Sequence, residues 1–482
     1  MTLGDMSREE FREAGHRLVD WIAEYLEHAD RYPVLAQVKP GDVKAQFPAA
    51  APLHGDSMDA IFADFERSLV PGLTHWNAPS FFAYFSISAS APGILADFLS
   101  SALNQQAMLW RTSPAATELE DVALGWLRQL MGLPATFEGV IYDTASVSSL
   151  HALAAARERA VPGVRQEGLA GRAGLPRLRV YCSEHAHSSI DKGVILLGLG
   201  HDALRKIPVD DEFRMRPGAL AEAVAEDRRA GLRPFAVVAT TGTTSTTSVD
   251  PVPAIADVCE REGLWLHVDA AYGGVAAIVP GHEWVLAGCD RADSLVVNPH
   301  KWLFTPFDLS AFYCRHMDLV RAAFSLVPEY LRTSDPSGVK NLMDTGVQLG
   351  RRFRSLKLWM ILRYFGAEGI RARIEEHMRL ARELAGWIDA DPDFERLAPV
   401  PMSVVCFRAK PAVLAPDEAA LETFNARLLD AVNATGQTFL SHTKLNGRFT
   451  LRLAIGHIRT TREHVARAWD LVRKKTDELL TS

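Results

Sequence analysis

Two short apolar runs each lead to a residue that could take part in amine chemistry. The run Ser294–Val297 leads, after a short turn, to Lys301, and the run Leu264–Val268 leads directly to Asp269. Each run predicts a buried strand, so both side chains are expected where a strand delivers them into a site. A lysine in that setting can form a Schiff base with an aldehyde. A carboxylate nearby can keep a heteroaromatic nitrogen protonated.

A lysine and an acid at the ends of adjacent strands are the two groups that pyridoxal phosphate needs from a protein. Lys301 would bind the aldehyde carbon. Asp269 would keep the pyridine nitrogen protonated, so that the ring can accept electrons. The two blocks together predict a pyridoxal phosphate site.

The segment that follows the predicted strand Gly139–Asp143 has the composition of a phosphate-binding turn. Thr144, Ala145 and Ser146 join that strand to a predicted helix, where backbone N–H groups and hydroxyls could hold a phosphate. Ordinary capping of the helix by a serine remains an alternative interpretation.

Short apolar runs alternate with helical patterns from residue 139 to residue 314. This alternation predicts an α/β fold with a mainly parallel sheet covered on both faces. Ligands of such sheets collect at the carboxyl ends of the strands, where the polar residues named above fall. The predicted strands are Gly139–Asp143, Leu178–Cys182, Phe235–Thr241, Leu264–Val268, Ser294–Asn298 and Ser310–Cys314.

The blocks around Asp269 and Lys301 resemble those of the pyridoxal-phosphate-dependent group II amino-acid decarboxylases, specifically the aromatic-L-amino-acid decarboxylases. The resemblance covers nearly the whole chain, from about residue 7 to the last helix. It is also carried by Thr74-His75-Trp76, Phe81-Phe82-Ala83-Tyr84-Phe85, the segments 113–120 and 349–357, and Ala186-His187-Ser188-Ser189.

This resemblance implies a type I, aspartate-aminotransferase-like fold with a seven-stranded-type sheet. The expected parts are an N-terminal helical arm over residues 1–88, a large cofactor-binding domain over 89–365 and a small α+β C-terminal domain over 366–482. The resemblance also implies a homodimer with shared active sites. A capping box at Ser7 and Glu10 predicts that the arm begins with an amphipathic helix over residues 8–30, whose apolar stripe a partner subunit would cover.

The resemblance assigns further side chains to the cofactor. His187 matches a histidine that stacks on the cofactor ring and can relay a proton. Thr244, with Thr243 beside it, is expected near the phenolic oxygen, and the full list of expected cofactor contacts is Thr144, Ala145, Ser146, His187, Thr244, Asp269, Ala271, Asn298, His300 and Lys301. His185 with His187 could suggest a metal pair, but no third ligand is indicated nearby, so no metal is expected.

Tyr330 matches a family tyrosine on a loop that closes over the substrate. After loss of the carboxylate, a proton donor must reach Cα, and a phenol can supply that proton. Related aldehyde-forming enzymes have a phenylalanine at this position, so Tyr330 favours an amine product. The expected catalytic residues are Lys301, Tyr330, His187 and Asp269.

Aromatic and small residues are expected to line the substrate pocket. After Phe85 the chain departs from the animal pattern at Ser86 and Ile87. Gly350 occupies a position where relatives that prefer histidine or tyrosine tend to carry serine, so the resemblance implies room for a wide ring such as indole or catechol. Met108 matches a residue contributed across the dimer interface. The expected substrate contacts are Trp76, Tyr84, Phe85, Ile87, Met108 and Gly350.

Bulk composition excludes some other functions. The 482 residues include 48% hydrophobic and 23% charged residues, as is typical of a soluble globular protein of two or three domains. A net charge of −7 gives no reason to expect nucleic acid or an anionic membrane as a partner. Five scattered cysteines indicate free thiols, and the first ten residues lack a signal pattern, so a cytoplasmic location is expected.

The sequence therefore predicts decarboxylation of an aromatic L-amino acid to its amine. Tryptophan or 5-hydroxytryptophan, DOPA, tyrosine and phenylalanine all remain open as substrates. The alternatives are an aromatic aldehyde synthase of the same family and a catalytically silent homologue that binds pyridoxal phosphate.

Overall fold

A computed structural model describes residues 5–326 and 339–481 of the chain. The helices are α1 (Arg8–Glu27), α2 (Met58–Asp64), α3 (Ala91–Leu103), α4 (Pro114–Leu130), α5 (Ala145–Ala160), α6 (Val164–Glu167), α7 (Ser189–Leu196), α8 (Pro217–Arg229), α9 (Val252–Glu262), α10 (Pro299–Trp302), α11 (Met317–Phe324), α12 (Ser355–Asp389), α13 (Glu418–Asn433) and α14 (Arg462–Leu480). None of them combines the length and the apolar character needed to cross a bilayer.

Within these residues, seven strands form the large sheet in the order β1-β7-β6-β5-β4-β2-β3. The run from β6 to β3 is parallel, and β7 is antiparallel to both of its neighbours, so β1 points the same way as β6. The strands are β1 (Glu138–Tyr142), β2 (Leu178–Ser183), β3 (Leu204–Ile207), β4 (Arg233–Thr240), β5 (Trp265–Asp269), β6 (Ser294–Val297) and β7 (Ser310–Cys314). This sheet confirms the predicted α/β fold class.

Both faces of the large sheet are covered. Successive side chains of a strand point to opposite faces, and Val237 belongs to one hydrophobic cluster while its neighbour Val238 belongs to another. Leu266 and Trp265 divide between the same two clusters. This two-sided burial explains why the central strands are almost uninterrupted apolar runs in the sequence.

A smaller antiparallel sheet follows in the order β10-β11-β9-β8. Its strands are β8 (Phe394–Arg396), β9 (Val404–Ala409), β10 (Ser441–Leu445) and β11 (Arg448–Ala454). The long helix α12 leads into it and is interrupted by non-helical backbone at Gly366. We propose that this interruption marks the boundary between the large domain (89–365) and the C-terminal domain (366–482).

Helix α1 begins with the predicted capping box. The Ser7 hydroxyl accepts the Glu10 N–H at 3.2 Å, and the Glu10 carboxylate accepts the Ser7 N–H at 3.0 Å. The helix ends at Glu27, three residues before the predicted end, because the chain turns into a short 3₁₀ segment at Ala29. Leu26 is its single buried residue.

The basic cluster at 351–357 forms internal ion pairs, since Arg351 contacts Glu120 at 2.8 Å and Arg354 contacts Asp308 at 2.8 Å. All five cysteines are buried free thiols, as expected. Strand β3, which begins at Leu204, was not among the predicted strands.

Candidate active site

A cavity of about 180 Å³ opens at the carboxyl ends of β4, β5 and β6. A single water needs only about 15 Å³, so the cavity is far larger than a packing defect. β1 ends at the same edge of the sheet because it runs in the direction of β6. The cavity is lined by Phe85, Thr144, Ala145, Ser146, His187, Thr240, Gly242, Thr244, Asp269, Ala271, Tyr272, Asn298, His300 and Lys301.

Lys301 lies in the short helix α10, directly after β6. Its Nζ is 5.2 Å from the centre of the Phe85 ring. Burial lowers the pKa of Lys301, and the positive charge of Arg452 lowers it further, whereas Asp269 opposes both effects. A lowered pKa raises the fraction of neutral amine, which is the form that attacks a carbonyl carbon.

Asp269 is the last residue of β5 and is 5% exposed. Its Oδ1 accepts the backbone N–H of Ala271 at 3.1 Å. None of the ion pairs among the described residues includes this carboxylate. A buried carboxylate without a fixed cation is costly, so a cationic ligand in the cavity would stabilise it.

The first turn of α5 forms one corner of the cavity. Thr144 is the N-cap residue, but its side chain does not cap the helix, because its hydroxyl donates to Asp143 at 3.2 Å. The N–H of Ser146, the second residue of the helix, therefore lacks the usual acceptor from the N-cap side chain, and the N–H of Ala145 has no acceptor within the helix. A phosphate at this corner would satisfy them and would interact favourably with the helix dipole.

Asn298 and His300 line the cavity on the β6 side. Oδ1 of Asn298 is buried and has no hydrogen-bond partner among the described residues. Nδ1 of His300 accepts the N–H of Leu309 at 3.0 Å, and burial lowers the pKa of His300 to about 3. His300 is therefore neutral at physiological pH and has its hydrogen on Nε2.

His187 also presents a defined tautomer. Its Nδ1 accepts the Ser189 N–H at 3.1 Å and contacts the Ser189 hydroxyl at 2.8 Å. Desolvation by the surrounding protein lowers its pKa, and Lys301 lowers it further. The neutral ring thus has its hydrogen on Nε2, from which it can donate to another group.

The two threonines predicted near the phenolic oxygen differ in environment. Thr244 lines the cavity, whereas the buried hydroxyl of Thr243 pairs with Thr246 at 3.0 Å inside the turn. Thr240 also lines the cavity and has a buried hydroxyl without a partner. Thr240 was not among the expected contacts, although its position as a polar residue at the end of a predicted strand could have indicated it.

Gly242 and Tyr272 line the cavity but were not predicted to do so. Gly242 has φ +95°, and a Cβ at this position would lie 2.7 Å from the backbone nitrogen of Gly273. Only glycine fits this approach. Tyr272 stacks on Phe85 with ring centres 3.8 Å apart. Nothing in the local sequence pattern indicates that contact.

Of the residues expected to contact substrate, Phe85 alone is among those that line the cavity. Trp76 and Tyr84 stack on each other with ring centres 5.9 Å apart, outside it. Met108 and Gly350 lie in neighbouring segments, where a Cβ on Gly350 would be 3.3 Å from the Gln106 side chain. Ile87 is partly buried and does not line the cavity. Tyr330 lies outside the described residues.

The polar groups that face the cavity match the parts of pyridoxal phosphate. The uncapped first turn of α5 suits a phosphate, the Asp269 carboxylate suits a protonated pyridine nitrogen, and the Lys301 amine suits an aldehyde. No group of three His, Cys, Asp or Glu side chains among residues 5–326 and 339–481 could hold a metal ion. The residues present therefore fit this cofactor.

The family model of the pyridoxal-dependent decarboxylase conserved domain matches residues 40–410 of the chain. The phenylacetaldehyde synthase of Arabidopsis thaliana is 40% identical over 488 residues, which cover 99% of this chain and 98% of the relative. Tryptophan decarboxylase 2 of Oryza sativa subsp. japonica is 38% identical, with 99% and 97% covered.

Solved structures give the same result. The crystal structure of Oryza sativa TDC with PLP and tryptamine superposes with a TM-score of 0.95 at 38% identity, covering 99% of this chain and 100% of that one. The Catharanthus roseus tryptophan decarboxylase in complex with L-tryptophan gives a TM-score of 0.92 at 38% identity, with 99% and 100% covered. From the family match and these full-length similarities, the chain belongs to the pyridoxal-dependent decarboxylase family.

Proposed function

We propose that this protein uses pyridoxal phosphate to decarboxylate an aromatic L-amino acid, releasing the corresponding amine and CO₂. The observation that carries the proposal is the pairing of Lys301 and Asp269 on one cavity, with the aromatic ring of Phe85 beside the lysine. The relatives named as tryptophan, tyrosine and aromatic-L-amino-acid decarboxylases support it.

When bound, pyridoxal phosphate supplies an electron-accepting ring that takes up the electron pair of the breaking Cα–carboxylate bond. Lys301 would hold the cofactor through its aldehyde. Asp269 keeps the pyridine nitrogen protonated. The first turn of α5, with Thr144, Ala145 and Ser146, binds the phosphate. Each role follows from the donor or acceptor that these groups present to the cavity.

Proton delivery to Cα is assigned to two residues. The neutral His187 has its hydrogen on Nε2 and lines the cavity, so it can stack on the ring and relay a proton. Tyr330, by resemblance, supplies the phenol that protonates Cα. An amine product follows from that protonation.

We infer a homodimer with shared sites. Helix α3 exposes four large apolar side chains, Leu95, Phe98, Leu99 and Leu103, each close to half exposed. Helix α1 adds Phe11 at 57% and Val19 at 45% exposure. Apolar faces of this extent are typical of protein interfaces. By resemblance, a second copy would contribute Met108 across this interface.

The cytoplasm is the compartment we propose, because all five thiols are free and buried in apolar surroundings. Proteins in which all cysteines remain free thiols are typical of a reducing compartment. A fractionation experiment with the tagged full-length chain tests this proposal directly.

An aromatic aldehyde synthase is the second candidate function. The 40% identity to the Arabidopsis phenylacetaldehyde synthase favours it, whereas Tyr330 favours the amine. The two reactions differ in their products, since the synthase consumes O₂ and releases ammonia and hydrogen peroxide with the aldehyde. A catalytically silent homologue would give neither set of products.

One assay separates these functions. The purified holoenzyme is incubated with each aromatic amino acid, including DOPA and 5-hydroxytryptophan, while CO₂, amine, aldehyde, ammonia and peroxide are measured. The proposal predicts CO₂ and amine in equal amounts, with indole or catechol substrates preferred because Gly350 has no side chain. Aldehyde, ammonia and peroxide in equal amounts would instead show that the protein is an aromatic aldehyde synthase. No CO₂ from any substrate would reject both.

A further inference from the structure

Arg452 is a buried cation without an ion-pair partner. It lies in β11 and is 3% exposed. None of the ion pairs among the described residues includes it, and its Nη2 has no hydrogen-bond partner there. A buried guanidinium without a counter-ion costs free energy, which only its hydrogen bonds and ring contacts can offset. By contrast, Arg408, equally buried in the adjacent strand β9, pairs with Glu395 and Glu418.

Arg452 contacts two segments that border the cavity. Its Nε donates to the carbonyl of Ser245 at 3.1 Å, and Ser245 directly follows the cavity residue Thr244. Its Nη1 donates to the carbonyl of Tyr84. Its guanidinium carbon lies 4.6 Å from the centre of the Phe85 ring. The Arg452 side chain, which belongs to the C-terminal domain, therefore joins the turn after β4 to Phe85, whose ring forms the aromatic wall of the cavity.

Tyr84, which directly precedes the cavity residue Phe85, needs such support. Its φ is +51°, in the left-handed region that non-glycine residues avoid. Ser441 faces Arg452 across the β10–β11 pair, and its hydroxyl accepts the Tyr84 N–H at 3.1 Å. Two residues at one register position of the small sheet thus hold the N–H and the C=O of Tyr84. Its backbone conformation fixes the direction in which Phe85 enters the cavity.

The charge of Arg452 also acts on the lysine. The charged and titratable groups around Lys301 are Asp269 at the end of β5, His300 in the same short helix, His187 before α7, and Arg452 in β11. Asp269 favours the ammonium form of Lys301, whereas Arg452 disfavours it, because like charges repel. Arg452 therefore offsets part of the effect of the carboxylate that the cofactor nitrogen requires.

We propose that Arg452 is a positioning residue of this active site: it fixes the Tyr84–Phe85 wall and the Thr244–Ser245 turn, and its unpaired charge favours the neutral amine of Lys301. Two separable consequences follow. The charge acts on the amine through space, whereas the wall depends on the shape and the several donors of the guanidinium. Substitution by lysine keeps the positive charge but loses the shape and the several donors of the guanidinium.

The test compares Arg452→Met, Arg452→Lys and the control Arg408→Met in the full-length protein. The apoenzyme of each is mixed with pyridoxal phosphate, and the rate of capture by Lys301 is followed by visible absorbance as a function of pH. Thermal unfolding of each apoenzyme is measured in parallel. Arg408→Met also removes a buried arginine from the C-terminal domain, but its side chain does not contact the cavity residues.

Arg452→Met is expected to capture pyridoxal phosphate about three- to tenfold more slowly at neutral pH, because loss of the positive charge raises the pKa of Lys301 and lowers the fraction of neutral amine. Its pH profile moves to higher pH. Arg452→Lys and Arg408→Met keep the wild-type profile. An unchanged profile in Arg452→Met, or the same shift in Arg408→Met, would overturn the charge effect and with it the proposal.

Steady-state kinetics test whether Arg452 fixes the position of Phe85. Both Arg452 variants are expected to raise KM for the aromatic amino acid about five- to tenfold, because Phe85 loses its fixed position. Arg408→Met leaves KM unchanged. A wild-type KM in Arg452→Lys would contradict the positioning role, and this variant decides alone if Arg452→Met does not fold. The inference rests on the proposed cofactor site, but the capture rates need no amino acid, so they stand even if the wild-type protein fails to decarboxylate one.

Discussion

Asp269 and Lys301 follow neighbouring parallel strands, β5 and β6, and their side chains line the same cavity. Parallel strands of one sheet end at one edge, so the two groups meet although 31 residues separate them in the sequence. The cavity that they share has a volume of about 180 Å³. This relationship makes the lysine and the carboxylate parts of one site.

Substitution Asp269→Asn is expected to lower the rate of decarboxylation at least about a hundredfold, because an amide cannot stabilise a protonated pyridine nitrogen. The amide oxygen can still accept the Ala271 N–H, so folding and cofactor binding should persist. Steady-state kinetics and the bound pyridoxal phosphate per chain are the measurements. Asp227→Asn, a buried aspartate that does not line the cavity, serves as the control. A loss of less than tenfold in Asp269→Asn would contradict the assigned role.

Substitution Ser146→Glu is expected to change apoenzyme stability and cofactor affinity in opposite directions. A carboxylate at the second position of α5 interacts favourably with the helix dipole and stabilises the apoenzyme by up to about 1 kcal/mol. The same charge repels the cofactor phosphate and should weaken pyridoxal phosphate binding at least about tenfold. Thermal unfolding and fluorescence titration measure the two effects.

Gly218→Glu is the matched control for that change. Gly218 is the second residue of α8 and is exposed, and a Cβ there would meet nothing within 4 Å. Its cofactor affinity should equal that of the wild-type protein. Tight cofactor binding by Ser146→Glu would show that the phosphate is held elsewhere.

Substitution Gly242→Ala is expected to destabilise the protein by about 2 kcal/mol or more and to lower its cofactor content. The left-handed backbone alone costs alanine about 1–2 kcal/mol, and the added Cβ would lie 2.7 Å from the Gly273 nitrogen. In Gly263→Ala the backbone is also left-handed, but a Cβ would meet nothing within 4 Å. Urea unfolding should therefore show a smaller loss for Gly263→Ala, with full cofactor content. Equal losses would refute the close approach at Gly242.

Stability is expected to fall on acidification because the buried histidines stay neutral in the folded state. Burial lowers the pKa of His377 to about 4, whereas the unfolded value is about 6.5. The unfolded chain therefore binds the extra proton first. The contribution to stability is complete above about pH 6.5 and is lost as the pH falls toward 4, which amounts to about 2 kcal/mol at pH 5.

His377→Gln isolates this effect. His377 accepts the Trp302 indole N–H at 3.0 Å and donates to the carbonyl of His457 at 3.0 Å. Glutamine also offers one acceptor and one donor, but it does not titrate. Urea unfolding at pH 7 and pH 5 should show that the free energy of unfolding falls by about 2 kcal/mol less in the variant than in the wild-type protein. An identical decrease in both proteins would show that His377 takes no part in it.

The sequence was sufficient to predict those residues of the candidate site that follow the end of a strand. Asp269, Lys301 and Thr144 each follow a run of apolar residues, so their positions at one sheet edge could be predicted. Strand β3 was missed because only its end residues Leu204 and Ile207 are buried, while the charged Arg205 and Lys206 lie between them, so it has no apolar run.

Contacts between distant segments could not be predicted in this way. Arg452 and Tyr84 are 368 residues apart, and β11 looks like any alternating strand. The guanidinium reaches the wall of the site only because the segment 81–84 docks on the small sheet, where the Ala454 N–H donates to the Phe82 carbonyl at 2.9 Å. Such a role depends on the tertiary packing and leaves no local pattern.

The most direct test of the central claim is to reduce the holoenzyme with borohydride and locate the attached pyridoxyl group by peptide mass spectrometry. The account predicts one group per chain, on Lys301, and none in Lys301→Ala. The Lys357→Ala variant, which removes another buried lysine, should still be labelled on Lys301. A pyridoxyl group on any other lysine, or an unlabelled wild-type holoenzyme, would contradict the account.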